Sequence, residues 1–172
     1  STGRDVGIYP EIKDPAFHHA EGQDISKTVI SVLEKWGYNN PDSNSFVQCF
    51  DWAETKRIRN DLRYQGKLVQ LLGENRWGPP EGTDYDYLKS GDGILEMAKI
   101  VDGIGPWLPQ VISGLGENGK AVMTPTLIAA QRAQLLVHPY TLRADQLPKW
   151  AGDMNIALKA IFDDAGIDGI FT

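Results

Sequence analysis

Cysteine is nearly absent from this sequence. The one copy, Cys49, excludes an internal disulfide framework and any cysteine-based zinc cluster. It falls in a hydrophobic strand-like run, where a buried, inert thiol is expected. No apolar run approaches the roughly 20 residues that a membrane span needs. Basic residues are the minority: 17 Lys and Arg against 23 Asp and Glu leave a net charge of -6. With no Lys/Arg block either, a broad nucleic-acid footprint is excluded. What remains is an ordinary globular composition, at 172 residues long enough for one domain with a proper core.

The stretch around which the rest is arranged is Gly7-Ile8-Tyr9-Pro10-Glu11-Ile12-Lys13. Side chains alternate along a strand, so Tyr9, Glu11 and Lys13 share one face while Ile8, Pro10 and Ile12 take the other. An acid and a base at the exit of a hydrophobic strand are costly to bury unless paired, hydrated or bound to something. A divalent cation on Glu11 with a phosphate on Lys13 satisfies both. So does a plain Glu11–Lys13 ion pair.

Hydrophobic periodicity predicts the elements that follow. After a loop holding Phe17, His18 and His19, residues 24–36 read as a helix, with Ile25, Val29, Val32, Leu33 and Trp36 on its core face. Phe46–Phe50 is the second strand. Asp51 can cap the next helix, with Glu54 completing a capping box. Leu68–Leu72 is the third strand, and 73–90 is a long aperiodic excursion of the kind that often carries substrate contacts. A fourth strand lies around 100–106, with helical patches at 107–115 and 125–133. A fifth strand spans 135–141. Asp153 opens a last helix with Leu158, Ile161 and Phe162 as core positions, and 168–172 forms a sixth strand.

Strands alternating with helices mean a parallel sheet, either doubly wound or a (β/α)8 barrel. The buried runs are interrupted near their ends by Glu11, Gln48, Gln70 and His138, the polar layer expected beneath the mouth of a barrel. No Gly-rich phosphate loop follows the first strand, which weighs against a nucleotide-binding doubly wound sheet. A barrel needs eight strand–helix units and six are counted. Residues 1–172 therefore read as a partial barrel whose two N-terminal units are expected before Ser1.

Several blocks now appear in a telling order. Gly3-Arg4-Asp5-Val6-Gly7-Ile8-Tyr9-Pro10-Glu11-Ile12-Lys13 comes first, then Phe17-His18-His19, Gln48-Cys49-Phe50-Asp51 and Leu68-Val69-Gln70-Leu71. Asp102-Gly103-Ile104-Gly105-Pro106, Val137-His138-Pro139-Tyr140-Thr141 and Gly169-Ile170-Phe171-Thr172 complete the set. Together they resemble the bacterial, periplasmic type of glycerophosphodiester phosphodiesterase, over essentially the whole chain. The resemblance implies a TIM barrel that hydrolyses glycerophosphodiesters to glycerol 3-phosphate and an alcohol. It implies a divalent metal, calcium first and magnesium second, and a periplasmic location, although no signal-peptide pattern is present here. It implies that Glu11 is a metal carboxylate and Lys13 a phosphate contact, with Gln48, Phe50, Gln70 and Tyr140 lining the pocket. The family's two acid–base histidines, and its other metal carboxylates, are expected upstream of Ser1, so no catalytic residue is assigned within this chain.

His138 can touch substrate or serve as a hydrogen-bonded core histidine. His18 and His19 read as loop-packing residues, Asp102 as a capping or solvated group, and Trp77 and Trp107 as packing or rim residues. Two rival functions remain: a non-catalytic binding or surface protein on the same barrel, and a phosphodiester lyase. The partner expected is a small-molecule diester. The open edges of a six-strand sheet also predict a homo-oligomer if this piece stands alone.

Overall fold

In a computed structural model that describes residues 6–172, five short strands form one parallel sheet. They are β1 (Glu11–Ile12), β2 (Phe46–Cys49), β3 (Lys67–Leu72), β4 (Gly103–Pro106) and, after a hairpin of β5 (Ile112–Leu115) and β6 (Ala121–Met123), β7 (Leu136–Val137). Their order across the sheet is β1-β2-β3-β4-β7, each paired with the next strand of that sheet along the chain. Isolated bridges Ile8↔Ser45 and Trp107↔Tyr140 carry the outer pairings beyond the regular strands. Gly3, Arg4 and Asp5 of the first sequence block lie outside the described residues.

The connecting helices are α1 (Pro15–Ala20), α2 (Ile25–Lys35), α3 (Trp52–Asn60), α4 (Tyr85–Leu88), α5 (Gly91–Met97), α6 (Pro125–Arg132) and α7 (Met154–Leu158). Their starts follow the caps in the sequence. Asp24 accepts from the Lys27 amide at 2.9 Å, Asp51 from Glu54 at 3.0 Å and Asp153 from Ile156 at 2.9 Å. Glu54 does not close a capping box; its carboxylate turns to Arg57 instead, at 2.6 Å.

The register fixes which way each strand residue points. Ile12, Val47, Cys49, Leu68, Leu72, Ile104 and Val137 share one core cluster with Ile30, Ile58, Ile94 and Leu127 of the helices. Each such buried aliphatic contributes about 1.5–3 kcal/mol. The opposite face closes on itself. Tyr9 stacks on Phe46 at 4.9 Å and meets Phe171 edge-on at 4.9 Å, so the first strand and the last segment touch across the interior. Gly105 keeps that interior narrow, because a Cβ there would lie 2.5 Å from Leu71 Cδ2.

Four expectations change. Residues 107–115 are not helical: a 3-10 turn at Leu108–Gln110 gives way to β5, which pairs antiparallel with β6 around Asn118-Gly119, where Gly119 has φ +72°. His18 and His19 stand on α1, not in a loop. The segment 168–172 is extended but not a regular strand. It runs parallel to 137–142 on three backbone hydrogen bonds, from Asp168 N, Phe171 N and Leu142 N, while the Asp168 carboxylate takes the Val137 amide. Trp36 and Phe162 are exposed rather than core, at 69% and 39%, with Val32 also at the surface.

Candidate active site

Parallel strands share a direction, so their C-terminal ends meet at one edge of the sheet, and in barrels that edge forms the mouth of the site. From β1, Glu11 and Lys13 reach it; from β2, Gln48 and Phe50; from beyond β7, Tyr140 and Thr141. With Leu71 and Phe171 they enclose a cavity of about 300 Å³. A second cavity of about 320 Å³ opens on the other side of Glu11 and Lys13, against Asp51, Pro79 and Pro80. The acid and the lysine thus stand between two open spaces.

The two do not pair with each other. Lys13 is exposed and forms no ion pair among the described residues. Glu11 Oε1 and Gln48 Oε1 are buried acceptors without a hydrogen-bond partner, and Glu11 and Gln48 are register partners on adjacent strands. Orphaned buried acceptors are costly. Two hard oxygens beside a cavity fit a divalent cation, which would satisfy both, although calcium takes six or more oxygens and needs further donors. The cavity's aromatic wall is held firmly. The Tyr140 hydroxyl donates to Leu72 O at 2.7 Å, its ring meets Phe50 edge-on at 5.8 Å, and burial pushes its phenol well above the ordinary range.

Gln70 is not part of this wall. It is in phase with Leu68 and Leu72 and pairs in register with Cys49, so it faces the helix layer. There its amide donates to Phe50 O at 3.0 Å and Leu71 O at 2.9 Å. Its place in the cavity is taken by Leu71. His138 shares the inward face but does not line the cavity. The Tyr9 hydroxyl meets its Nδ1 at 3.0 Å, with Phe46 packed edge-on at 5.1 Å. Burial holds the imidazole below its ordinary value and raises the Tyr9 phenol, so the bond joins two neutral groups.

Three further charged groups resolve as structural. Asp102 lies at the opposite end of the sheet, taking the Leu68 amide at 2.8 Å and Arg59 at 2.7 Å. Glu74, just past β3, accepts from Gln110 at 2.6 Å and Lys89 at 3.2 Å, and the Gln110 amide holds its carboxyl below the usual range. His19, Asp24 and Glu54 bring ligand atoms within 4.8 Å of one another. Arg57 already bridges both carboxylates, so their charge is met by a guanidinium. Thr141, Leu71 and Phe171 also line the cavity, and no motif in the sequence marks them as doing so.

A parallel α/β sheet closing on its own interior, with its polar groups gathered at the C-terminal ends of the strands, belongs to the (β/α)8-barrel class. Comparison with known proteins goes further. The profile of the Glycerophosphoryl diester phosphodiesterase family matches residues 1–172. A protein of Haemophilus influenzae named glycerophosphodiester phosphodiesterase is 37% identical over 186 residues, covering 100% of this chain and 51% of its own length. One of Treponema pallidum with the same name is 31% identical, covering 100% and 52%. A plant relative of that name, from Arabidopsis thaliana, is 31% identical over 188 residues, covering 98% of the chain and 49% of its own length. The chain belongs to the glycerophosphoryl diester phosphodiesterase family, and it spans about half the length of the curated relatives it matches.

Proposed function

We propose that the chain supplies the cation- and phosphate-binding side of a hydrolase that converts glycerophosphodiesters to glycerol 3-phosphate and an alcohol, acting in the periplasm. The observation that carries the reading is the pair Glu11 and Lys13, each without an ion-pair partner among the described residues, set at the mouth of a barrel of this family. Phosphodiester hydrolysis breaks the bond from phosphorus to the alcohol oxygen as water adds to phosphorus. It needs charge neutralised on the non-bridging oxygens, a proton for the leaving oxygen and a base for the water.

Glu11 and Gln48 would hold a divalent cation, calcium in the first instance and magnesium in the second. When bound, that ion supplies positive charge beside the phosphate. Lys13 supplies a second positive charge from the same face. Phe50 and Tyr140 present aromatic edges that exclude water from one side of the glycerol. Among the described residues no histidine lines either cavity, so the proton transfers fall to groups other than His18, His19 and His138.

Release of glycerol 3-phosphate from glycerophosphocholine, measured with calcium and then with a chelator, tests the reading. Chelator-sensitive release that disappears in Glu11→Gln supports it. Release that survives chelation and Glu11→Gln overturns it, and a cyclic phosphate product identifies a lyase instead.

A further inference from the structure

Beside the small cavity lies a larger one of about 710 Å³, which shares Tyr140 and Thr141 with it. Tryptophan dominates its lining. Trp77 and Trp107 meet edge-on with centroids 5.3 Å apart, and Trp150 contributes from the loop beyond β7. Trp77 is 49% exposed, a large apolar surface to leave in water. Among the described residues nothing acidic lines the space. Arg143 and Lys149 fringe it. Asp145 engages Arg143 through two bonds, at 2.9 and 2.6 Å, whereas Lys149 is exposed and forms no ion pair among the described residues.

We propose that this tryptophan-lined cavity receives the alcohol half of the diester and favours a polyol alcohol over a cationic one. The inference rests on the functional reading above and extends it to the substrate class. The smaller cavity, with Glu11 and Lys13, suits the phosphate and glycerol. The two cavities meet at Tyr140 and Thr141, so an alcohol attached to the same phosphate reaches the larger one past that shared wall. A polyol ring lays its C–H face on a tryptophan and turns its hydroxyls to Ser113, Gln146 and Lys149. A quaternary ammonium gains from the same rings but meets Lys149 and no carboxylate to balance its charge.

The test measures kcat/KM of the full-length enzyme for glycerophosphoinositol and for glycerophosphocholine. The readout is the ratio of the two within each variant, which cancels any general loss. The ratio is expected to favour inositol in the unaltered protein. Lys149→Glu, a surface substitution, is expected to move it toward choline roughly five- to tenfold, and Trp150→Ala to lower kcat/KM for both diesters, since both alcohols gain from the ring. A ratio that Lys149→Glu leaves unmoved, or one that favours choline from the start, overturns the proposal. If no diester is cleaved, the functional reading fails on its own. Tryptophan fluorescence then judges the cavity separately: saturable quenching by glycerophosphoinositol that Trp150→Ala removes upholds it, and quenching indifferent to that substitution overturns it.

Discussion

The two ends of the parallel sheet carry polar clusters of opposite character. At the N-terminal end Arg59 donates to Ile100 O, Tyr64 O, Gly66 O and Asp102, and Asp102 also takes the Leu68 amide. Both sides of that ion pair are occupied. At the C-terminal end Glu11 and Gln48 each keep a buried oxygen without a partner, and Lys13 forms no ion pair, among the described residues. The first cluster spends its charge within the fold; the second leaves orphaned oxygens beside an open cavity, where a ligand can reach them. Charge and position alone do not separate the two, since both stand at strand ends.

Substitutions that exchange the two behaviours break the comparison most sharply. Glu11→Gln is expected to lower kcat/KM of the full-length enzyme by about a thousandfold, or ~4 kcal/mol of barrier, while chemical denaturation moves by less than about 1 kcal/mol. Arg59→Ala is expected to do the reverse. It orphans several carbonyl acceptors and costs about 2–3 kcal/mol of stability, with kcat/KM in the surviving folded fraction within about twofold.

The two glutamines give the next contrast. Each holds a buried side-chain oxygen without a partner, but only Gln70 also donates, to Phe50 O and Leu71 O. Gln48→Leu is expected to leave the urea midpoint level or slightly raised and to weaken substrate binding, whereas Gln70→Leu loses both donations and is expected to cost about 1–2 kcal/mol. Equal effects from the two would erase the distinction between the faces.

The smallest expected effect is in pH. The folded imidazole of His138 sits below its ordinary value of 6.5, chiefly through burial. The unfolded chain therefore takes the proton first as pH falls. The stabilisation is whole above 6.5 and is lost on descending from there through the folded value. The urea midpoint is expected to be slightly lower at pH 5.5 than at pH 7.5 through this group, and His138→Gln to flatten that difference.

Much of the site could be read beforehand because β1 declares its phase: Tyr9, Glu11 and Lys13 alternate with apolar partners. Gln70 could not be placed in the same way. Its strand is apolar on both faces, so only pairing with Cys49 reveals which side it takes. The stretch 107–115 mimics a helix through the spacing of Leu108, Val111 and Ile112. Asn118-Gly119 downstream was the hairpin signal that outweighs it. Trp36 and Phe162 show a further limit of periodicity. Spacing identifies an apolar face, but not whether a neighbour covers it. Trp36 caps the C-terminal end of α2 and Phe162 lies on the turn after α7, and both stay exposed.

The pairing of Glu11 with Gln48 and of Ile12 with Cys49 also governs which insertions and deletions the chain can absorb. Moving β1 by one residue would bring Ile12 into the cavity and press the Glu11 carboxylate into the aliphatic layer between sheet and helices. Loss or gain of one residue between Gly7 and Lys13 therefore removes the site and burdens the core in a single event. The turn at Gly116–Gly119 bears no such constraint, and length variation there costs little more than loop entropy.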